Sequence, residues 1–271
     1  MTEQPPEGAS SPGAHPPPSS PSPSPTTPTP SPTTPTPSTT PRPLDLASAR
    51  ASYPDSEHSE AGLADHPAAQ FERWYRAALD GGPSAHVPEP NAMVLSTVGA
   101  DGGPTSRTVL LKQLDARGFV FFTNYSSRKA GEIAANPRVS LCFPWYGLRR
   151  QVTVRGIARR VPAEESAVYF VSRPWASRIG AWASRQSRPA RDRAQLDDAW
   201  AARAASWPDR GGAGDVPVPD FWGGYVVAAS EVEFWQGRSG RLHDRLAFVS
   251  RDGAPAVLDD AGAWRVERRQ P

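Results

Sequence analysis

The chain has 271 residues, 21% of them charged, with a formal net charge of +2 and one cysteine. So small a basic excess argues against a nucleic-acid binder. A single cysteine excludes an intramolecular disulfide and a cysteine-built zinc site, and it suits a reducing cytoplasm. Half of the 32 prolines fall in residues 1–43, interleaved with Ser and Thr. That stretch cannot bury enough surface to offset its ordering entropy, so it is expected to be a disordered tail with local polyproline II. It serves either as an inert extension or as a ligand for aromatic-groove modules. It has no basic n-region or apolar h-region of a signal peptide, and no later run approaches the ~20 apolar residues of a membrane span. A cytoplasmic protein without membrane contact is expected. Residues 44–271 are long enough for one domain with a substantial core.

In chain order, Asp65-His-Pro67 opens a helix that buries Phe71, Trp74, Tyr75, Ala78 and Leu79 and stops at Gly81-Gly-Pro83. Strands follow at 92–98, 105–114 and 119–123, separated by hairpin signals at Asp101-Gly-Gly103 and Asp115-Ala-Arg-Gly118. A short helix over 126–135 takes Ser126 or Ser127 as its cap. Two more strands, 138–143 and 150–160, precede three helices. The first has Pro162 and two acids in its opening turn and ends by Arg173. The second is capped by Ser177 and runs through Trp182. The third spans 192–207. Strands at 224–235, 246–250 and 264–268 close the chain. The fold class is mainly β with flanking helices, an antiparallel meander that can close into a barrel. Cys142, within an apolar strand, reads as a small buried hydrophobe.

Several constellations could carry chemistry. In Arg107-Thr-Val-Leu-Leu-Lys112 the cations are five residues apart, so strand alternation sends them to opposite faces. Ser126-Ser-Arg-Lys129 puts hydroxyls and cations at a helix N-terminus, where an anion is favoured; the alternative is a solvated basic turn. Tyr169 and Arg173 are spaced i, i+4 to share a helix face, with Ser177 just beyond. They suit a second phosphate, or an Arg stacked on Tyr. Gln151, Gln186 and Ser187 could read the edge of a planar ring with donors and acceptors. Phe221-Trp-Gly-Gly224 and Phe234-Trp-Gln-Gly237 add aromatic area beside glycine. Arg241-Leu-His-Asp-Arg245 is dense in functional groups, yet no G-x-S-x-G elbow supports a charge relay. The five histidines show no metal-ligand spacing, and no P-loop or G-x-G-x-x-G is present.

These pieces, with Asn136-Pro-Arg-Val139, Phe143-Pro-Trp145, Ser172-Arg-Pro174 and Ile179-Gly-Ala-Trp182 in the same order, resemble the pyridoxamine 5′-phosphate oxidase family from about Arg50 to the C-terminus. The resemblance implies an FMN-binding split β-barrel and a homodimer with FMN at the subunit interface, residues 216–271 forming its dimerisation region. Carried onto matching positions, it assigns Arg107, Thr108, Val109, Leu110, Leu111, Lys112, Phe122, Thr123, Arg128, Lys129, Gln151, Gln186, Ser187, Trp235 and Arg245 to FMN. Lys112, Tyr169, Arg173 and Ser177 would hold the substrate phosphate. Arg241, Leu242 and His243 would flank the substrate ring, with Arg241 and His243 as catalytic residues. Arg50 and Tyr53 would lie on an arm over the site. The implied reaction oxidises pyridoxamine or pyridoxine 5′-phosphate to pyridoxal 5′-phosphate. Oxygen is the acceptor and becomes hydrogen peroxide; the amine also yields ammonia. Phe122 departs from the family's frequent Tyr, which removes a phenol hydroxyl. The alternatives are another flavin split-barrel oxidoreductase, against which Lys112, Tyr169, Arg173, Ser177 and Arg241-Leu-His243 argue because the resemblance makes them the substrate-phosphate pocket, and a non-catalytic protein that stores or delivers pyridoxal phosphate or FMN.

Overall fold

The computed structural model describes residues 53, 58–81 and 87–271. The tail of residues 1–43, Arg50 and Pro83 lie outside the described residues. Helix α1 (Pro67–Asp80) starts on His66, whose Nδ1 accepts from the Ala69 N–H, and has Pro67 at its first position. Proline suits that position because its missing N–H has no helical partner there. The helix buries Phe71, Trp74 and Ala78, while Tyr75 is half-buried and Leu79, expected on the same face, is 60% exposed. Phe71 packs edge-on against Phe119 and Phe143 at 5.2 and 4.9 Å and tilts on Trp145 at 5.7 Å. Full burial of such a ring stabilises by about 1.5–3 kcal/mol, so this aromatic cluster fastens α1 over the sheet.

The sheet has nine strands: β1 (Ala92–Val98), β2 (Pro104–Leu110), β3 (Gln113–Asp115), β4 (Gly118–Asn124), β5 (Arg138–Trp145), β6 (Arg150–Arg160), β7 (Trp222–Gln236), β8 (Asp244–Ser250) and β9 (Trp264–Arg268). All pairings are antiparallel. The order β2-β1-β5-β6-β7-β4-β3 is not that of a meander, however. β1 pairs with β5, and β4 with β7, across long stretches of chain. Alternation along each strand drives the apolar face inward: Met93 and Leu95, Leu141 and Phe143, Val152 and Val154 are fully buried. Cys142 lies on the other face of β5, half-buried, and burial pushes its thiol up, so it is no nucleophile.

Two features turn this sheet into a split barrel. β2 and β3 stand at opposite ends of the strand order yet are consecutive in the chain. The expected single strand over 105–114 is broken at residues 111–112. There the Leu111 N–H donates to Asn91 O beside β1, and the next N–H, of Lys112, donates to Val120 O in β4. Neighbouring residues thus hand the chain from one end of the sheet to the other, which closes it. β7 supplies the split. Residues 222–227 pair with β4, whereas residues 231–236 pair with β8. β6 runs along residues 225–236, with a bulge at Arg155/Gly156.

Helix α2 (Arg128–Ala135) begins on Ser127 rather than Ser126. Helices α3 (Ala163–Ser172), α4 (Trp175–Ala183) and α5 (Arg193–Ser206) follow β6. Glu164 and Glu165 in the first turn of α3 suit its dipole, and Asp192 caps α5 by accepting from the Gln195 N–H at 2.8 Å. Ser177, expected as the cap of α4, sits inside the helix, because Pro174 takes the capping position. Among the described residues no helix is long and apolar enough to cross a membrane.

Candidate active site

The candidate residues gather at two places, one near each end of β7. At the first, Thr123 pairs with Gly223, and Phe122 with Gly224. The Phe122 ring stacks on Tyr169 at 4.1 Å and on Trp222 at 5.4 Å. Gly224 is required there, since a Cβ would meet Phe122 at 2.8 Å and Val161 at 2.7 Å. Behind this wall, α2 brings Arg128 and Lys129 to face Arg107 of β2. Arg107 points to the core face with Thr97 and Thr105 and bonds both hydroxyls. It also pairs with Glu132 at 3.0 Å. Glu132 binds Arg128 at 2.8 Å on its other oxygen. Burial alone would raise the Glu132 carboxyl, but hydrogen bonds from Thr97, Thr105, Arg128 and Arg107 hold it well below the usual range.

Lys129 is only 8% exposed, and its ammonium meets Gln186 Oε1 at 2.7 Å, Thr123 Oγ1 at 3.2 Å and Ser127 Oγ at 3.3 Å. All three acceptors are neutral. Burial, then Arg107, pull its pKa down to about 8. The nearby Glu132 carboxylate offsets this only in part, being paired already with Arg107 and Arg128, so Lys129 is a buried cation that a further anion would stabilise. Beside it lies a cavity of about 380 Å³ lined by Ser126, Ser127, Arg128, Gly131, Ser187 and Arg188. Ser187 has φ of 71°, a left-handed backbone that only local constraint keeps for a non-glycine residue.

A second cavity, of about 310 Å³, is lined by Asn124, Arg173, Ser177, Ser184, Gln186 and Trp222, among others. Arg173 is the C-cap of α3 with extended backbone, so it does not share a helix face with Tyr169, as the i, i+4 spacing implies. Both nevertheless reach Trp222: the guanidinium lies 4.8 Å from the indole, and the Tyr169 ring stacks at 6.1 Å. Nη1 of Arg173 is buried without a hydrogen-bond partner. Such an orphan costs about 1–3 kcal/mol or more when charged, and the same side chain lines the cavity. Gln186 and Ser187 stand between the two cavities.

The second place is a row across three strands. Gln151 pairs with Trp235, and Trp235 with Arg245, so the three share one face at the far end of β7. Arg245 is held by Glu233 through two bonds of 3.1 and 2.8 Å. The chain then turns through Arg238 to His243. The His243 ring lies 4.7 Å from Trp235 and 6.0 Å from Tyr53, which itself stands 6.5 Å from Trp235. Arg241 and Leu242 are exposed. Asp244 does not bond His243; Arg238 and Arg268 occupy its carboxylate.

Lys112 joins neither place. It is exposed at the β2–β3 corner, on a cleft of about 640 Å³ shared with α1. Strand parity does not relate it to Arg107, because the strand ends at Leu110. Thr108, Val109 and Leu110 run along β2, which among the described residues pairs only with β1. Gly223 and Trp235 are twelve residues apart on β7, up to roughly 40 Å of strand. Within one chain the two places are separated by most of the length of β7. The sequence reading missed Glu132 and Arg188. The i, i+4 spacing of Arg128 and Glu132 was a usable signal for the first; Arg188 had none.

Comparison with known proteins adds to this geometry. Residues 84–204 match the family model described as pyridoxamine 5′-phosphate oxidase, and residues 222–271 match the pyridoxine 5′-phosphate oxidase C-terminal dimerisation region. A Kineococcus radiotolerans protein named pyridoxine/pyridoxamine 5′-phosphate oxidase is 55% identical over 84% of this chain and 99% of its own. One of the same name from Streptomyces avermitilis is 50% identical over 84% and 96%. Among solved structures, PhzG from Burkholderia lata, in complex with tetrahydrophenazine-1-carboxylic acid, matches with a TM-score of 0.68. It is 27% identical and covers 80% of this chain and 99% of its own. A pyridoxamine 5′-phosphate oxidase-related, FMN-binding protein from Nostoc punctiforme has a TM-score of 0.56 at 15% identity, covering 74% and 97%, a likeness of fold.

Proposed function

The chain belongs to the pyridoxamine 5′-phosphate oxidase family, an oxidoreductase family, and from that premise we propose that it oxidises pyridoxamine and pyridoxine 5′-phosphates to pyridoxal 5′-phosphate. The proposed cofactor is FMN and the acceptor is O2, with hydrogen peroxide and, from the amine, ammonia as by-products. The supporting observation is the pair of cation-lined cavities on either side of Gln186-Ser187, one lined by Arg128 and Arg188 next to the buried Lys129, and one lined by Arg173. Two phosphorylated ligands need two such places.

The donor set fits FMN. Arg107, Arg128, Lys129 and Ser187 would hold its phosphate at the N-terminus of α2. Gln151, Trp235 and Arg245 of a second copy of the chain would meet its ring, since in one chain they lie at the opposite end of β7 from Lys129. That makes the working unit a homodimer with composite sites, in keeping with the matched dimerisation region. Bound FMN would supply the redox chemistry by accepting the two electrons that the substrate loses. Arg173, Ser177 and Tyr169 would hold the substrate phosphate, with Lys112 reaching in from its corner. Arg241 and His243 of the second copy would orient the substrate ring, and Tyr53 would cover it. Orientation of this kind can supply much of a rate. Residues 1–43 would be a tail appended to a catalytic domain of residues 44–271, working in the cytoplasm.

The test is direct. The purified protein should be yellow, and both vitamers should give aldehyde and peroxide; flavin-loaded protein inert on both would refute the reading. Arg173→Ala should raise KM about 10- to 100-fold, the loss of a charge-assisted contact, with FMN retained. Loss of FMN instead would show that the two anion cavities are exchanged.

A further inference from the structure

The turn that carries Arg241 and His243 is held far more tightly than an exposed loop requires. Gly240 and Arg241 are both left-handed, with φ of 61° and 63°. For Arg241 that conformation is strained, so its surroundings must impose it. The Gly237 N–H donates to Arg149 O at 2.8 Å, and the Leu242 N–H to Ser239 O at 3.3 Å. The backbone N–H of Arg238 donates to His243 Nδ1 at 3.0 Å. The ends of the turn are joined by Asp244, which is 5% exposed. Its Oδ2 takes Arg238 Nη1 at 3.3 Å, and its Oδ1 takes Arg268 Nη1 of β9 at 2.7 Å. Arg268 is braced in turn by Glu60 at 2.7 Å.

A backbone N–H can only donate, so His243 Nδ1 must be the acceptor. The neutral ring then carries its proton on Nε2. We propose that Asp244 is a positioning residue which, through Arg238, locks His243 as the Nε2–H tautomer, so that His243 meets the substrate as a hydrogen-bond donor. This rests on the proposed reading that His243 lies against the substrate ring. The Nε2 atom is then unable to take a proton from the substrate. Its N–H points to an acceptor atom on the ring and fixes the ring's rotation beside Trp235. The sequence neighbour Asp244 contributes by holding the turn and never by touching the imidazole.

The experiment uses the full-length holoenzyme labelled with ¹⁵N-histidine. Long-range ¹H–¹⁵N spectra, with His243 assigned from the loss of its signals in His243→Gln, report the tautomer without recourse to activity. The expected pattern is Nε2–H for His243. An Nδ1–H or doubly protonated ring at neutral pH overturns the proposal, whereas absence of turnover with both vitamers would instead overturn the functional reading. Asp244→Asn should mix the tautomers and lower kcat/KM about tenfold while FMN content is unchanged. Arg238→Gln, which keeps the backbone N–H but releases the carboxylate, should do the same in a milder form and serves if Asp244→Asn does not fold. A pure Nε2–H signal in the folded variants would remove Asp244 from the role. His243→Leu should lose about tenfold or more, and His243→Gln, which keeps a side-chain donor, should recover part of that loss. Equal losses in both would show that donation is not what His243 contributes.

Discussion

Near one end of β7, Lys129 is buried against three neutral acceptors, and Arg173 hides a guanidinium nitrogen with none. At the other end, Arg245 is clasped by Glu233, and Arg238 and Arg268 share Asp244. Both regions are rich in cations, but among the described residues Lys129 and Arg173 of the first have no paired carboxylate, whereas Arg245, Arg238 and Arg268 of the second each have one. The first is the proposed anion site. The second is a scaffold whose charges are spent on holding a turn, and it offers outward only Arg241 and the rings of Trp235 and His243. The difference teaches where to look for a ligand: not where cations are densest, but where buried ones lack carboxylates.

If the two regions are halves of one site on different copies, they can be separated genetically. Lys129→Ala should lose FMN by about 100-fold in affinity, and Arg241→Ala should keep FMN but lose most of its turnover. Co-refolding the two inactive variants should restore up to about a quarter of wild-type activity, because half of the dimers are mixed and each then has one intact site. No recovery in verified mixed dimers would mean that each chain works alone. A smaller effect concerns Glu132, the one carboxylate among Arg107, Arg128 and Lys129. Glu132→Gln should destabilise the FMN-free protein by about 3 kcal/mol, the penalty of breaking a buried pair. Added FMN should then raise its melting temperature by more than it raises the wild type's. An equal shift would show that the ligand does not answer the same charge.

The pH dependence should also differ between the halves. With its pKa lowered to about 8, Lys129 is charged below that value and loses its proton above it. The phosphate is already dianionic above about pH 7. FMN affinity should therefore fall several-fold between pH 7 and 9 in fluorescence titrations, and Lys129→Arg should flatten that fall. The smallest effect tests strain in the second half. Arg241→Gly relieves a left-handed non-glycine residue and should stabilise the fold by about 0.5–1 kcal/mol in urea melts while activity falls. A destabilised variant would mean that the Arg241 side chain is part of the clamp.

Much of the secondary structure is written locally. The strands at 92–98 and 150–160 stand where alternation and turn residues put them, and α5 follows its Asp192 cap. These depend on neighbours two to four residues away. The family could also be read from ordered short motifs. Strand order could not, since strand partners 44 (Ser96 and Ser140) to 108 (Phe119 and Val227) residues distant leave no periodic trace. The corner at Leu111-Lys112 is invisible for that reason: an apolar run with strand composition gives no sign that its backbone changes partner midway. Likewise the helix break at Pro174 was legible, but that proline itself would displace Ser177 as the cap was not. Composition and short-range pattern thus settled which residues could bind anions. Only the closed barrel decided which of them are left without a counter-charge, because carboxylates such as Glu132, Glu233 and Asp244 find their partners through contacts across the fold.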